Sequence, residues 1–290
     1  MNEVHQTHTL RSGLIKRLKT HFDATIITFF TSFHRRNVMV VDSDAEMLES
    51  LLASEHEKGK KVVLILNSPG GSALAAERIV NVCRAYSHNQ FEVVVPHMAK
   101  SAATMICFGA TKIHMSKTAE LGPVDPQVPY WPESVAEPTE DNANWISAEE
   151  YVRSYDKLMA EATAGKAKRI EPYLQQLTRY DARSIEKLRS AQKLSTEISL
   201  RLLGSLMMKN VPMKRIKKRI GVFISQERTR SHGRMINHDE AKKCGLNVEV
   251  VDLQSDVWHC VWELYVRSNY AVTERCGRVM ESEETGLQTQ

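Results

Sequence analysis

Two junctions between a strand-like apolar run and a helical run hold the residues that could do chemistry. In the first, Asn67-Ser68-Pro69-Gly70-Gly71, adjacent glycines free the backbone to aim amide N–H groups into a pocket. Such donors could receive a tetrahedral oxyanion or a phosphate, although a plain strand-to-helix turn would use the same pair. The phosphate reading is weak, because neither GxxxxGK[ST] nor GxGxxG is present. In the second, Lys100-Ser101-Ala102-Ala103, small residues after the serine let the chain turn sharply into a helix. That turn exposes the Ser101 hydroxyl with the next N–H beside it, the logic of a nucleophile elbow without its GxSxG signature. A serine here could equally cap the helix. Asp125 stands in a stiff loop between Pro123 and Pro126, and His232 follows Ser231 in a polar loop. His97, His114 and His238 compete as bases, and residue types alone do not choose among them.

The elements that must position these residues alternate between strand and helix. Asn37–Asp42 reads as a strand, followed by a helix over Ser43–Lys58 with Met47, Leu48, Leu51 and Leu52 on one face and a cap at Asp42, Ser43 or Asp44. Lys61–Leu66 and Phe91–Val95 are β-branched runs of the kind buried on both faces of a sheet. Helices are expected over Ala73–Tyr86 and Ala102–Gly109, and a short strand over Lys112–Met115. This alternation predicts an α/β fold with a mainly parallel sheet, and both junctions fall at strand C-terminal ends, where ligands bind in such sheets. Pro123–Asn144, with Pro126, Pro129, Pro132 and Pro138, reads as a loop. Ser147–Lys168 and Asp181–Lys209 read as helices; the apolar stripe of the second, from Ile185 to Leu206, suits packing on the domain or an oligomer seam. Gly221–Ser225 is strand-like, a short helix ends at Gly245, and Leu246–Val251 is a last strand.

Composition narrows the class. The 290 residues carry a net charge of +4, 42% apolar and 26% charged residues, ordinary for a globular protein and no argument for nucleic acid. The basic run Lys214–Arg219 could meet nucleic acid or anionic lipid, but a solvated helix face is the favoured reading. Ala24–Phe33 falls well short of the roughly 20 apolar residues a bilayer span needs, and the N-terminus lacks a signal-peptide pattern. A peripheral membrane role for Arg11–Phe33 stays open. Five cysteines with no CxxC spacing read as reduced thiols, neither a disulfide framework nor a zinc site, so the compartment expected is the cytoplasm.

The phrases NSPGG, VPHMAKS and LGPVDPQ, with the distal stretch His232–Leu246 in the pattern H-x-x-x-I-x-x-x-E-A-x-x-x-G-L, carry a resemblance. Over roughly residues 25–252 the chain resembles the serine dehydrogenase proteinase family of the Clp-protease/crotonase superfamily, related to signal peptide peptidase A. The resemblance implies a repeated ββα/βα superhelical fold with added helices. It implies Ser101 as nucleophile, Asp125 as orienting acid and His232 as base. Gly70 and Gly71 of the turn and Ala102 would build the oxyanion hole. No metal or cofactor is called for. The chain departs from the family in having Ala102-Ala103 where two glycines are usual and Lys100 where methionine is common. It also shows no N-terminal membrane helix of the kind archaeal members tend to carry, so membrane attachment is not transferred. Signal peptide peptidases use a Ser-Lys dyad, which makes Lys157 the alternative base, with His97 behind it.

The chain reads as a helical arm over residues 1–35, a peptidase domain over 36–255 and a tail over 256–290, of which residues 276–290 are polar and expected to fray. The function expected is a serine endopeptidase acting on peptide or protein, assembled as a homo-oligomer, with an unfoldase or membrane partner open. The alternatives are a non-catalytic member that binds peptides or partners in the same groove, and a crotonase-type acyl-CoA enzyme that holds an enolate with the same two N–H groups.

Overall fold

The run Val62–Asn67 (VVLILN) is buried at every position, as a strand covered on both faces of a parallel sheet must be. Its side chains alternate: Val63 and Ile65 join one apolar layer, Val62, Leu64 and Leu66 the other. The computed structural model describes residues 8–35, 38–55, 59–131, 137, 139, 143–164, 169–229 and 231–289. Its strands are β1 (Thr25–Thr31), β2 (Val62–Asn67), β3 (Phe91–Val95), β4 (Met98–Ala99), β5 (Lys112–Met115), β6 (Glu120–Leu121), β7 (Gln127–Tyr130), β8 (Asn144–Ser147), β9 (Val248–Val250), β10 (Arg278–Glu281) and β11 (Gly286–Thr289). The helices are α1 (His8–Phe22), α2 (Asp42–Ser54), α3 (Ala73–Tyr86), α4 (Ala102–Phe108), α5 (Ala148–Thr163), α6 (Glu171–Leu177), α7 (Ala182–Ser205), α8 (Met213–Arg219), α9 (Gly221–Ile224), α10 (Gln226–Thr229), α11 (His238–Lys243) and α12 (Asp256–Glu274).

The main sheet runs β11-β10-β1-β2-β3-β5-β9. From β1 to β9 it is parallel, and β10 and β11 close its other edge antiparallel. One face is covered by α1 and α12 through Leu14, Ile15, Leu18, Val261 and Leu264. On the other face α2, α3, α4 and α7 bury Leu48, Ile79, Ile106 and Leu202. Past the strand ends the chain builds a second, shorter ladder. Val40 bridges Gly71, Ser68 bridges Ala99, β4 pairs with β6, and Leu121 bridges Ile236. Strand, short ladder segment and helix thus recur as a unit, which is the repeat expected of a Clp-like fold.

Several expectations change. Residues 24–33 are no part of a helical arm: TIITFFT is β1, buried at all seven positions, because β-branched and aromatic side chains suit a pleated, doubly covered strand. The membrane reading of Arg11–Phe33 loses its basis with it, since the apolar face of α1 is also buried. Among the described residues no helix is long and apolar enough to cross a membrane. Nor do residues 256–289 form a tail, or residues 276–289 a frayed end. Helix α12 packs on α1, and β10 pairs with β1. Its charged residues looked solvated in sequence because their partners are distant: Glu281 takes a two-pronged hydrogen bond from Arg11, and Arg278 lies 2.8 Å from Asp44.

The strand expected over Asn37–Asp42 shrinks to the single bridge at Val40, and the strand-like Gly221–Ser225 instead holds the helix α9, Gly221–Ile224. The proline loop contains a hairpin, β7 with β8, in which Pro129 faces Trp145. Helix α7 buries Ile185, Ile198, Leu202 and Leu203 and so serves the core of this chain. Residues 1–7, Asn37, Lys58, Pro132, Pro138 and Lys168, which bounded or marked predicted elements, lie outside the described residues.

Candidate active site

Strand β2 ends at Asn67 and its turn is locked from within. The Ser68 hydroxyl accepts the Gly70 N–H at 3.1 Å and takes a hydrogen bond from the Thr31 hydroxyl at 2.7 Å, while Asn67 Oδ1 accepts the Met98 N–H at 3.0 Å. Gly70 has φ +102, a backbone setting that favours glycine. A Cβ there would lie 2.7 Å from Ser101 Cβ and 2.5 Å from the Lys100 carbonyl oxygen, so only glycine lets the turn close against the serine. Gly70 was expected to supply an oxyanion donor, but its N–H is spent on Ser68; its contribution is this close approach.

Ser101 opens α4 with φ 50 and ψ −122, one of four non-glycine residues with positive φ among the described residues. Such a setting stores of order 1–3 kcal/mol and is held only where surrounding structure over-determines it. Here the Ser101 N–H donates to the Pro123 carbonyl at 3.1 Å, and the Ser101 carbonyl accepts the Met105 N–H at 3.1 Å. The hydroxyl makes no cap hydrogen bond, so the helix-cap reading of this serine does not apply. Among the described residues, the Gly71 and Ala102 N–H groups have no hydrogen-bond partner. Gly71 and Ser101 line one recess of about 230 Å³, whose walls include Leu74, Met105, Val124, Pro126 and Leu194.

Asp125 is 4% exposed and its Oδ1 meets His232 Nδ1 at 2.8 Å. With Nδ1 as donor, Nε2 carries the basic lone pair. The segment bearing Asp125 is fixed on both sides: the Val124 N–H donates to the Phe223 carbonyl at 2.8 Å, and the Val124 carbonyl accepts the Ser195 hydroxyl at 2.6 Å. The loop bearing His232 is tied to β6 by the paired hydrogen bonds of Leu121 and Ile236, at 2.9 and 3.0 Å. Val124 and Pro126, on either side of Asp125, line the recess with Ser101. Among the described residues no hydrogen bond joins the Ser101 hydroxyl to His232.

The other candidates lie elsewhere. Lys157 is 76% exposed on α5, pairs with Glu161 at 4.0 Å, and borders a separate depression with Tyr173 and Tyr180. The His97 ring meets the Tyr265 hydroxyl of α12 at 3.1 Å, and burial holds its pKa below the usual imidazole value. His114 is paired with Glu92 at 2.7 Å, and His238 lies 3.4 Å from Asp239. The five thiols are buried; burial pushes that of Cys244 up to about 11, which disfavours a thiolate nucleophile. Among the described residues no group of three His, Cys, Asp or Glu side chains is placed to hold a metal. Sequence reasoning missed the recess walls. Leu194 belonged to the stripe assigned to core or seam, and only the crossing of α7 over the elbow puts it beside Ser101.

Comparison with known proteins adds to this geometry. A family model described as ClpP-like SDH-type serine proteinase matches residues 11–195, a span that holds Ser101 and Asp125 but stops short of His232. Two uncharacterized proteins of Methanocaldococcus jannaschii are similar. One is 32% identical over 138 residues, 44% of this chain and 46% of that protein. The other is 32% identical over 94 residues, 32% of this chain and 31% of that protein. The chain therefore spans less than half the length of these relatives. Among solved structures, a serine-to-alanine variant of the 1510-N membrane-bound stomatin-specific protease is similar over 80% of each chain, at 16% identity and a TM-score of 0.39. A lysine-to-alanine variant of that protease in complex with a substrate peptide covers 79% of this chain and 94% of its own, at 15% identity and a TM-score of 0.30. With more than half of its residues matched by one family model, the chain belongs to the ClpP-like SDH-type serine proteinases.

Proposed function

We propose that this protein is a serine endopeptidase acting through an acyl-enzyme on Ser101. The observation that carries the reading is the Ser101 backbone, held at positive φ at the end of a strand beside the unspent N–H groups of Gly71 and Ala102. A serine that only capped a helix would gain nothing from that conformation. As Ser101 Oγ attacks a peptide carbonyl, His232 Nε2 takes its proton while Asp125 keeps the ring oriented through Nδ1. The Gly71 and Ala102 N–H groups receive the developing O⁻, and loss of one such donor lowers the rate about 10²–10³-fold. His232 then gives the proton to the leaving amine. Water, activated by the same imidazole, releases the acyl group. The apolar recess of Leu74, Met105, Val124 and Leu194 suits an apolar side chain next to the scissile bond.

A second reading, a non-catalytic member that binds peptides in the same recess, is favoured by the lack of a hydrogen bond between Ser101 and His232 among the described residues. Intact-mass labelling with a fluorophosphonate separates the two. The peptidase reading expects one adduct on wild type and on Lys157→Ala, none on Ser101→Ala, and slow labelling of His232→Ala. A folded wild type that takes up no probe supports the binding reading instead. Assembly into a homo-oligomer is part of the proposal, and sedimentation showing only monomer removes it.

A further inference from the structure

Lys100 sits directly before the nucleophile, where a lysine invites reading as a base. Its surroundings argue otherwise. The side chain is 12% exposed and passes beneath Gly122, where a Cβ would collide with Lys100 Cδ. Its Nζ forms an ion pair with Glu120, itself 16% exposed, and lies 3.5 Å from both the Leu121 and the Arg234 carbonyl oxygens. An ammonium has three protons and no acceptor capacity, and here three acceptors surround it.

Those acceptors belong to two further segments of the proposed site. Glu120 and Leu121 form β6, which leads into Asp125, and Arg234 lies in the loop of His232. Through Ser101, its chain neighbour, Lys100 therefore joins all three. Among the described residues the other ties of the His232 loop to its surroundings are the contact of His232 with Asp125, the bridge of Ile236 to Leu121, and the hydrogen bonds of the Arg234 side chain to Glu240 and the Arg228 carbonyl.

We propose that Lys100 is a positioning residue, which through its ammonium group sets the His232 loop against the Ser101 elbow and does not itself exchange protons with substrate. The role rests on the serine-peptidase reading. A misplacement of about 1 Å can lower a rate about 10²-fold, so a modest shift of the loop would be felt at the chemical step.

The test uses the full chain, a fluorophosphonate probe and amide hydrogen exchange. Lys100→Met should lower the labelling rate at saturating probe about 10²-fold, leave the half-saturating concentration near that of wild type, and speed exchange over residues 231–236. Because Lys100→Met strands the Glu120 carboxylate, Lys100→Met with Glu120→Gln is the decisive variant. It should fold with wild-type thermal stability yet label slowly, whereas Lys100→Arg should recover part of the rate. Wild-type labelling by the double variant would overturn the role, leaving Lys100 as the counter-ion of Glu120 alone. Labelling lost in Lys100→Arg but kept in His232→Ala would make Lys100 the base and overturn it too. A folded wild type that does not label refutes the peptidase reading, and this role with it; the exchange data then show separately whether Lys100 holds the loop.

Discussion

The Asp125 carboxylate meets the His232 ring at 2.8 Å across a sequence separation of 107 residues. One Asp125 oxygen, Oδ1, makes that contact; the other, Oδ2, is buried with no hydrogen-bond partner among the described residues. A buried carboxylate with one oxygen unspent is retained at a desolvation cost, and the imidazole is the partner that offsets it.

His232→Ala should therefore lower the second-order rate of fluorophosphonate labelling about 10²–10⁴-fold, the usual contribution of a positioned general base. Stability should fall as well, because the variant leaves the buried Asp125 carboxylate without its partner. Asp125→Asn should slow labelling as well, since an amide can present its N–H to Nδ1 and reverse the ring's tautomer. Labelling kinetics and thermal melts on the same samples test both; wild-type labelling by either variant removes that residue from the mechanism.

Two glycines should respond with opposite signs. Gly70→Ala places a methyl against Ser101 Cβ and the Lys100 carbonyl at a φ that alanine resists, so it should destabilise by about 1–3 kcal/mol and abolish labelling. Gly13, within α1, has open space around it. Gly13→Ala should stabilise by up to about 1 kcal/mol and leave labelling unchanged. Urea titrations read both.

The chain ends are joined by the Arg11–Glu281 ion pair, in which Nε and Nη2 donate at 2.7 and 2.6 Å and both residues are buried. Arg11→Met alone should destabilise by about 3–5 kcal/mol, because it strands the Glu281 carboxylate. Adding Glu281→Leu should recover much of the loss. A single variant as stable as wild type would mean that the two ends do not meet in solution.

Acid should weaken the fold in two windows. Burial lowers the pKa of His97, with Glu120 opposing the shift and Lys100 adding to it, so the unfolded chain binds that proton more readily. Stability should then decline as pH falls below the ordinary value of 6.5. For Glu92, the hydrogen bond to His114 holds the carboxyl below its ordinary 4.5, and the stability it contributes is lost as pH falls through that lower folded value. Urea unfolding from pH 8 to 3.5 should show both declines, and His97→Gln should remove only the first.

What the sequence by itself determined is local. Ala73–Tyr86 matches α3 residue for residue, and Phe91–Val95 matches β3, because period and β-branched content are properties of consecutive residues. The two junctions were legible for the same reason: glycine and alanine after an apolar run mark a sharp turn wherever it sits. Only the tertiary structure decided that Thr25–Thr31 pairs with Arg278–Glu281, that Gly70 spends its N–H on Ser68, and that Leu194 walls the recess. The choice of histidine is of the same kind, since residue types left four candidates and the fold sets His232 against Asp125. Each of these is a contact between segments far apart in the chain, and neither spacing nor propensity encodes which distant partner a buried polar group will find.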